Sequence, residues 1–422
     1  MKIRLPYGKD HIIAHLPDEW ETDIIQPKPW ITAEDEREIV NLALQRPYGG
    51  QSLRELAKEK RTVCIVTSDH TRPVPSQITL PLLLKELRAG NPEIQAKILI
   101  ATGCHRGCTT EELLQKFGED LISREIFLMH DSDSDESVRF VGLLPSGGRL
   151  YLNKEALDAE LLIAEGFIEP HFFAGFSGGR KSILPGIAAR KTVMYNHNAA
   201  FIQHENARAG CLAGNPIQAD MAAAAKMAGL SFILNVILDE KKRVAAAFAG
   251  EPEHAHAAGC ACLAAHAGVR PSKAPVVLTT NGGYPLDQNL YQCVKGLATA
   301  EQFCEQDGVI ILAAACEDGL GGESFYRTMA AAASPSALLD EILSVPAEQT
   351  RIDQWQYQIL ARILQRRKII VVTNEALRDK IEKMHMNVAA SIEEALQKAA
   401  DWIGQYRKII IIPDGVGVYA KK

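Results

Sequence analysis

The sequence predicts an α/β fold, with two α/β domains of mostly parallel sheet and an active site in the cleft between them. Three observations carry this. Short apolar runs rich in β-branched residues recur along the chain, among them TVCIVT at 62–67, KILIAT at 97–102 and KIIII at 408–412. These runs lack period-2 alternation, as expected of strands buried on both faces of a parallel sheet. Amphipathic stretches of helical period lie between them, joined by loops of Gly, Asn, Asp and Ser.

In chain order the strands fall at 62–67, 97–102, 125–129, 161–165, 231–237, 275–280, 308–313, 368–373 and 408–412. Helical patterns fall at 76–89, 216–228, 285–305, 353–366 and 391–404. Two turn clusters suggest the domain limits: GNPE at 90–93, and the alanine-rich segment 252–268 followed by VRPSKAP. The expected division is a discontinuous domain of 1–93 with 266–422, and a middle domain of 94–265. In open parallel sheets, ligands bind at loops beyond the carboxyl ends of the strands. Candidate chemistry is therefore sought there.

Composition narrows the function. The chain has 422 residues, 47% hydrophobic and 23% charged, enough for a large core. Its net charge of -6 and lack of a long basic run argue against nucleic acid and anionic membrane as partners. The N-terminus carries no apolar run of signal-peptide length, and no stretch of about 18 apolar residues suggests a membrane span. Nine scattered cysteines read as reduced thiols, which places the protein in the cytoplasm.

Four loops could carry chemistry. TSDHTRPVPS at 67–76 follows a strand and puts Asp69 and Arg72 at its carboxyl end. The arginine fork suits carboxylate or phosphate, and Asp69 could accept from a sugar hydroxyl or orient the arginine. A turn held by Asp and Pro is the plain alternative. ATGCHRGCTTEEL at 101–113 puts His105 on a loop, with Thr109 or Thr110 and Glu112 as capping residues of the next helix. A histidine there can act as a general base. Cys104, His105 and Cys108 also look like a fragment of a zinc site, although no second cysteine pair lies nearby.

The richest segment is 164–198. It contains His171, the glycine-rich GFSGGRKS at 175–182 ending near Lys181, and His197 between two asparagines. Gly178 and Gly179 permit close approach to a ligand, and Arg180 and Lys181 could cradle a phosphate-bearing cofactor. The segment is close to a phosphate-binding loop, but Arg180 stands where glycine should precede the lysine. The fourth segment, 279–297, runs from a strand into a helix starting near Pro285 to Asp287. Gln288, Gln292 and Lys295 share one face of that helix, with Tyr291 beside them. A solvated helix face is the plain reading. A lysine fixing a substrate carboxylate is the functional one.

Taken in order, Asp69-x-x-Arg72-Pro73, Gly103-Cys104-His105, Glu169-Pro170-His171, Gly178-Gly179-Arg180-Lys181-Ser182, Asn196-His197-Asn198 and Tyr291-Gln292-x-x-Lys295 resemble the nickel-dependent lactate racemase family over most of the chain. The resemblance implies a racemase or epimerase of lactate or a related 2-hydroxy acid. It implies a nickel pincer nucleotide (pyridinium-3-thioamide-5-thiocarboxylic acid mononucleotide) tethered to Lys181, with nickel bound by His197. It further implies His105 and His171 as alternating acid and base. Arg72 and Lys295 would hold substrate, Asp69, Arg72, Gly178 and Gly179 would line the cofactor site, and Gln292, Tyr291 and Trp355 would complete the substrate site. Cofactor-assembly enzymes become expected partners, and a homodimer is compatible with the pattern. The rival readings are a nucleotide-dependent enzyme using 175–182 as its phosphate loop, and a non-catalytic metal-storing or ligand-sensing protein.

Overall fold

The structure is a computed structural model that describes residues 1–30 and 35–421. The chain divides into two units. The first comprises Met1–Lys28, His197–Gly210 and Ala267–Lys422, and the second Pro29–Asn196 and Cys211–His266.

All nine expected strands are present, and they sort into two six-stranded sheets. The second unit's sheet runs Val244–Gly250, Leu230–Leu238, Leu161–Phe167, Thr62–Ser68, Gln95–Ala101, Ile126–Met129. Every pair is parallel except Val244–Gly250 against Leu230–Leu238. The first unit's sheet is wholly parallel, in the order Asn387–Ala389, Lys368–Val372, Cys304–Ala313, Ala274–Thr280, Lys408–Ile412, Glu21–Ile24. The burial that the missing alternation implied is observed. Leu161–Phe167 is buried at every position, and Val63, Ile65, Ile98, Ile163 and Leu234 join one core. Val276, Ile311, Ile370 and Ile411 join the other.

The structure departs from three sequence expectations. The boundary drawn at residue 93 falls inside the second unit, because Thr62–Ser68 pairs in register with Gln95–Ala101 and Leu161–Phe167. The stretch 252–268 is no turn cluster: Pro252–Ala267 is a 16-residue helix. Its alanines favour that conformation, and Ala255, His256, Cys260, Leu263 and Ala267 are buried at helical spacing. The helix expected from 285 starts instead at Leu290, capped by Asn289, whose side chain accepts from the Gln292 N–H. Gln288 therefore precedes the helix that carries Gln292 and Lys295.

In the second unit, the chain steps from the Thr62 strand outward to the Gln95 and Ile126 strands. It then returns to place the Leu161 strand on the other side of the Thr62 strand. The order reverses between these two central strands, and the crevice at their carboxyl ends is where doubly wound sheets bind ligands.

Candidate active site

Three neighbouring strands of the second unit end in the loops that carry its candidate residues. The loop after Thr62–Ser68 carries Asp69 and Arg72, that after Gln95–Ala101 carries His105, and that after Leu161–Phe167 carries His171 and Lys181. Gly103 N–H donates to Gly186 O at 3.0 Å, joining the His105 loop to the segment just past Lys181.

Asp69 is buried, and its Oδ2 lies 2.7 Å from His105 Nδ1. Its Oδ1 accepts from the Thr71 backbone N–H at 3.0 Å and from the Thr71 hydroxyl at 2.6 Å. Burial pushes the Asp69 carboxyl up, but the His105 and Thr71 hydrogen bonds and the Arg72 charge outweigh it and hold it at about 2. A carboxylate on Nδ1 fixes the proton there and leaves Nε2 of the exposed His105 ring as the basic nitrogen. The sequence reading gave Asp69 to the cofactor or to Arg72; its principal side-chain partner is the histidine.

Lys181 Nζ lies 3.3 Å from His171 Nε2 and 5.7 Å from the Phe173 ring centroid. The Ala174 N–H donates to His171 Nδ1 at 3.2 Å, so Nε2 is the ring nitrogen presented to the lysine. An amine and an imidazole thus share one spot.

The loop beneath them is gripped by buried polar side chains. Asn215 donates to Phe173 O at 2.9 Å, and Gln218 donates to Ala174 O. Asn235 Oδ1 accepts from Gly179 N–H at 2.7 Å, and His256 Nε2 donates to Ser177 O at 2.8 Å. Arg180 reaches back to His256 Nδ1 at 3.1 Å. Burial, and then the Arg180 charge, pull the His256 imidazole down to about 4, so it stands neutral between them. Gly178 and Gly179 have φ of 76° and 53°. A Cβ on Gly178 would stand 2.7 Å from Asn235 Oδ1, and one on Gly179 would stand 2.8 Å from His256 Cδ2. The glycines let the loop close on protein.

A second network frames the Asp69 loop. The fully buried Glu165 carboxylate accepts from the hydroxyls of Thr67 at 2.5 Å, Ser76 at 2.6 Å, and Thr79. It ties the strand before the loop to the helix after it. Lys116 Nζ donates to Arg72 O at 2.9 Å in the loop's middle. The Arg72 side chain is exposed.

The remaining candidates belong to the first unit. The buried His197 packs edge-on against Trp355, with ring centroids 5.1 Å apart. Two residues before Trp355, Asp353 accepts from the Tyr291 hydroxyl at 2.7 Å. Burial and the adjacent carboxylate push that phenol far above its ordinary range. Tyr291 therefore anchors the Leu290–Phe303 and Gln354–Leu364 helices to one another. Gln292 and Lys295 lie on the first of these. A surface cavity of about 590 Å³, lined by Glu21, Glu305 and Arg407 among others, lies at the amino ends of the same unit's strands and contains none of the candidate residues.

Sequence reasoning missed Asn215, Gln218, Asn235, His256, Glu165 and Lys116. A histidine inside an alanine-rich helical pattern was the available signal for His256. The others lie in apolar or amphipathic runs with nothing to single them out.

Comparison with known proteins decides the family. The lactate racemase N-terminal domain family matches residues 7–210, and the lactate racemase C-terminal domain family matches residues 269–420. The chain belongs to the lactate racemase family. That family's named activity makes it an isomerase of the racemase type. A lactate racemase of Thermoanaerobacterium thermosaccharolyticum is 49% identical over 422 residues, covering 100% of this chain and 99% of that one. A lactate racemase of Lactiplantibacillus plantarum is 46% identical over 421 residues, with 99% of each covered. The solved lactate racemase apoprotein from T. thermosaccharolyticum superposes with a TM-score of 0.97, covering 100% of both chains. A protein from Thermotoga maritima shares the fold at a TM-score of 0.65 and 19% identity, covering 94% of this chain.

Proposed function

We propose that the protein racemises lactate or a closely related 2-hydroxy acid, using a nickel pincer nucleotide tethered to Lys181. The observation that carries this is the pairing of Lys181 Nζ with His171 Nε2 at 3.3 Å, at the strand-order reversal of the second unit. The names of the relatives at 46% and 49% identity support the substrate class.

The residues fit such a group by the chemistry they offer. A primary amine able to form an amide-type link ends a rigidly held loop, with an imidazole against it and an exposed guanidinium on the loop of the neighbouring strand. When bound, the pincer nucleotide supplies a reversible acceptor for hydride from the substrate's α-carbon. Removing hydride, with the hydroxyl proton going to a base, yields a planar keto acid and avoids the dianion that direct α-proton abstraction beside a carboxylate would build. The chain's part is to move the proton and hold the carboxylate. His105 takes the hydroxyl proton at Nε2, and the Asp69 carboxylate on Nδ1 stabilises the imidazolium that forms. The family resemblance gives His171 the corresponding role for the opposite enantiomer. Arg72 holds the substrate carboxylate through its planar fork. His197 as the nickel ligand, and Lys295, Gln292, Tyr291 and Trp355 as substrate-binding residues, rest on the family resemblance. The protein is expected in the cytoplasm, dependent on cofactor-assembly enzymes and compatible with a homodimer; among the described residues no helix is long and apolar enough to cross a membrane.

The phosphate-loop alternative has little support. Gly179–Ser182 forms a single short 3-10 turn where a long helix is required. The N–H groups of Ser177, Gly179 and Lys181 donate within the protein, to Glu169 O, Asn235 Oδ1 and Gly178 O.

The test is a tryptic mass map of protein co-produced with the assembly enzymes, together with racemisation of both lactate enantiomers. A cofactor-sized increment on the Lys181 peptide, lost with activity in K181A, is expected. Full activity with unmodified Lys181 would overturn the proposal.

A further inference from the structure

One cluster beside the Asp69–His105 pair is used by nothing above. His70 follows Asp69, Cys108 ends the His105 loop, and Glu112 lies in the first turn of the helix Thr110–Phe117. One ligand atom from each lies within 4.8 Å of the others. The sequence had suggested Cys104, His105 and Cys108 as a zinc fragment. The fold keeps Cys108 in a metal-capable group but exchanges its partners, because His105 Nδ1 is engaged by Asp69.

We infer that His70, Cys108 and Glu112 form a second metal site, independent of the cofactor, for a borderline-soft divalent cation such as zinc. The donor set is imidazole nitrogen, thiolate sulfur and carboxylate oxygen, which suits zinc or cobalt and not calcium or magnesium. Ligand legs of about 2.0–2.3 Å in a tetrahedron put neighbouring ligand atoms roughly 3.3–3.6 Å apart. His70 Nδ1 lies 3.3 Å from Cys108 Sγ, and His70 Nε2 lies 3.4 Å from Glu112 Oε1. These two contacts use different ring nitrogens. The cation takes one of them, and the ring turns so that the third ligand closes on it. His70 and Glu112 side chains are 19% and 23% exposed, which leaves an open side for a water as fourth ligand.

The Glu112 carboxylate already accepts from the Thr109 N–H at 2.8 Å and from the Arg106 guanidinium. Arg106 is also the cation's competitor, donating to Glu112 at 2.5 and 2.7 Å. Its side chain is 61% exposed and can swing away. A bound cation would staple the loop carrying Asp69 to the loop carrying His105, and so hold the dyad's geometry.

The test is a cobalt(II) titration of the full-length chain, without a polyhistidine tag and without the assembly enzymes. A thiolate-to-cobalt charge-transfer band saturating at one equivalent is expected. The band disappears in C108S, and affinity falls at least tenfold in H70A and E112Q, the latter keeping the helix cap. Affinity rises in R106A. K181A keeps the band, so this result stands or falls apart from the racemase proposal. In unmutated protein, zinc should slow alkylation of Cys108 but not of Cys104, read by peptide mass. No band in the unmutated chain, a band surviving in C108S, or no protection of Cys108 overturns the inference.

Discussion

Asp69 shows how much one side chain decides. Its carboxylate holds the His105 ring by Nδ1, so D69N keeps the shape but offers an amide where the imidazolium needs a charge. Racemisation kcat in the loaded D69N enzyme should fall on the order of 10²- to 10⁴-fold, with KM changed little. Undiminished kcat would remove the dyad from the mechanism. The same group has a pH signature. Its folded value of about 2 lies below the ordinary 3.8, so its stabilisation is present above pH 4 and is lost as pH falls toward 2. That contribution is about 2 kcal/mol. In sequence, Asp69 was visible as a strand-end loop residue, but its partner is 36 positions away. Only the pairing of the Thr62 and Gln95 strands brings the two loops together. At Gly179 the residue type was legible and the reason was not, since the crowding comes from His256. G179A combines that collision with a positive φ, and should lower stability by about 1–3 kcal/mol in a thermal melt.

Among elements, the loops are set by what lies under them. Glu165 gathers three hydroxyls that bracket residues 68–75, and E165A leaves those buried hydroxyls without their acceptor. A loss of about 1–3 kcal/mol per orphaned group, offset where hydroxyls re-pair, predicts a melting temperature lower by several degrees. Limited proteolysis should cut first within 68–75; an unchanged melt and cleavage pattern would show that the carboxylate holds nothing. The central strands were legible because burial on both faces writes a continuous apolar run. The helix Pro252–Ala267 was not, because alanine carries no amphipathic contrast from which to read a face. Val244–Gly250, an edge strand of VAAAFAG, escaped for the same reason. The short strand Glu21–Ile24 offers four residues of mixed polarity.

For the molecule as a whole, the α/β class and the parallel sheets followed from the strand pattern, whereas the partition of the chain did not. Partition depends on which strands become neighbours, and local sequence does not state this: residues 29–93 join the middle segment through the Thr62 strand. Acid stability is a property at this scale. His256 titrates at about 4 in the fold, against an ordinary 6.5 in the unfolded chain. A lowered folded value means the unfolded state takes up the proton first. The stabilisation is therefore complete above pH 6.5 and drains away between 6.5 and 4, by roughly 3 kcal/mol. Burial shifts His130 in the same direction. Calorimetry at pH 7 and pH 4.5 should show a steep fall in melting temperature, and H256N should flatten it. Equal slopes in the two proteins would count against this account.

The grip of Asn215, Gln218, Asn235 and His256 on residues 173–179 bears on when that segment becomes ordered. Its backbone freedom is surrendered during folding, before any ligand arrives, so a cofactor meets a preorganised acceptor and loses no affinity to induced fit there. Amide hydrogens such as that of Gly179 should consequently exchange with deuterium as slowly in the bare protein as in the loaded one.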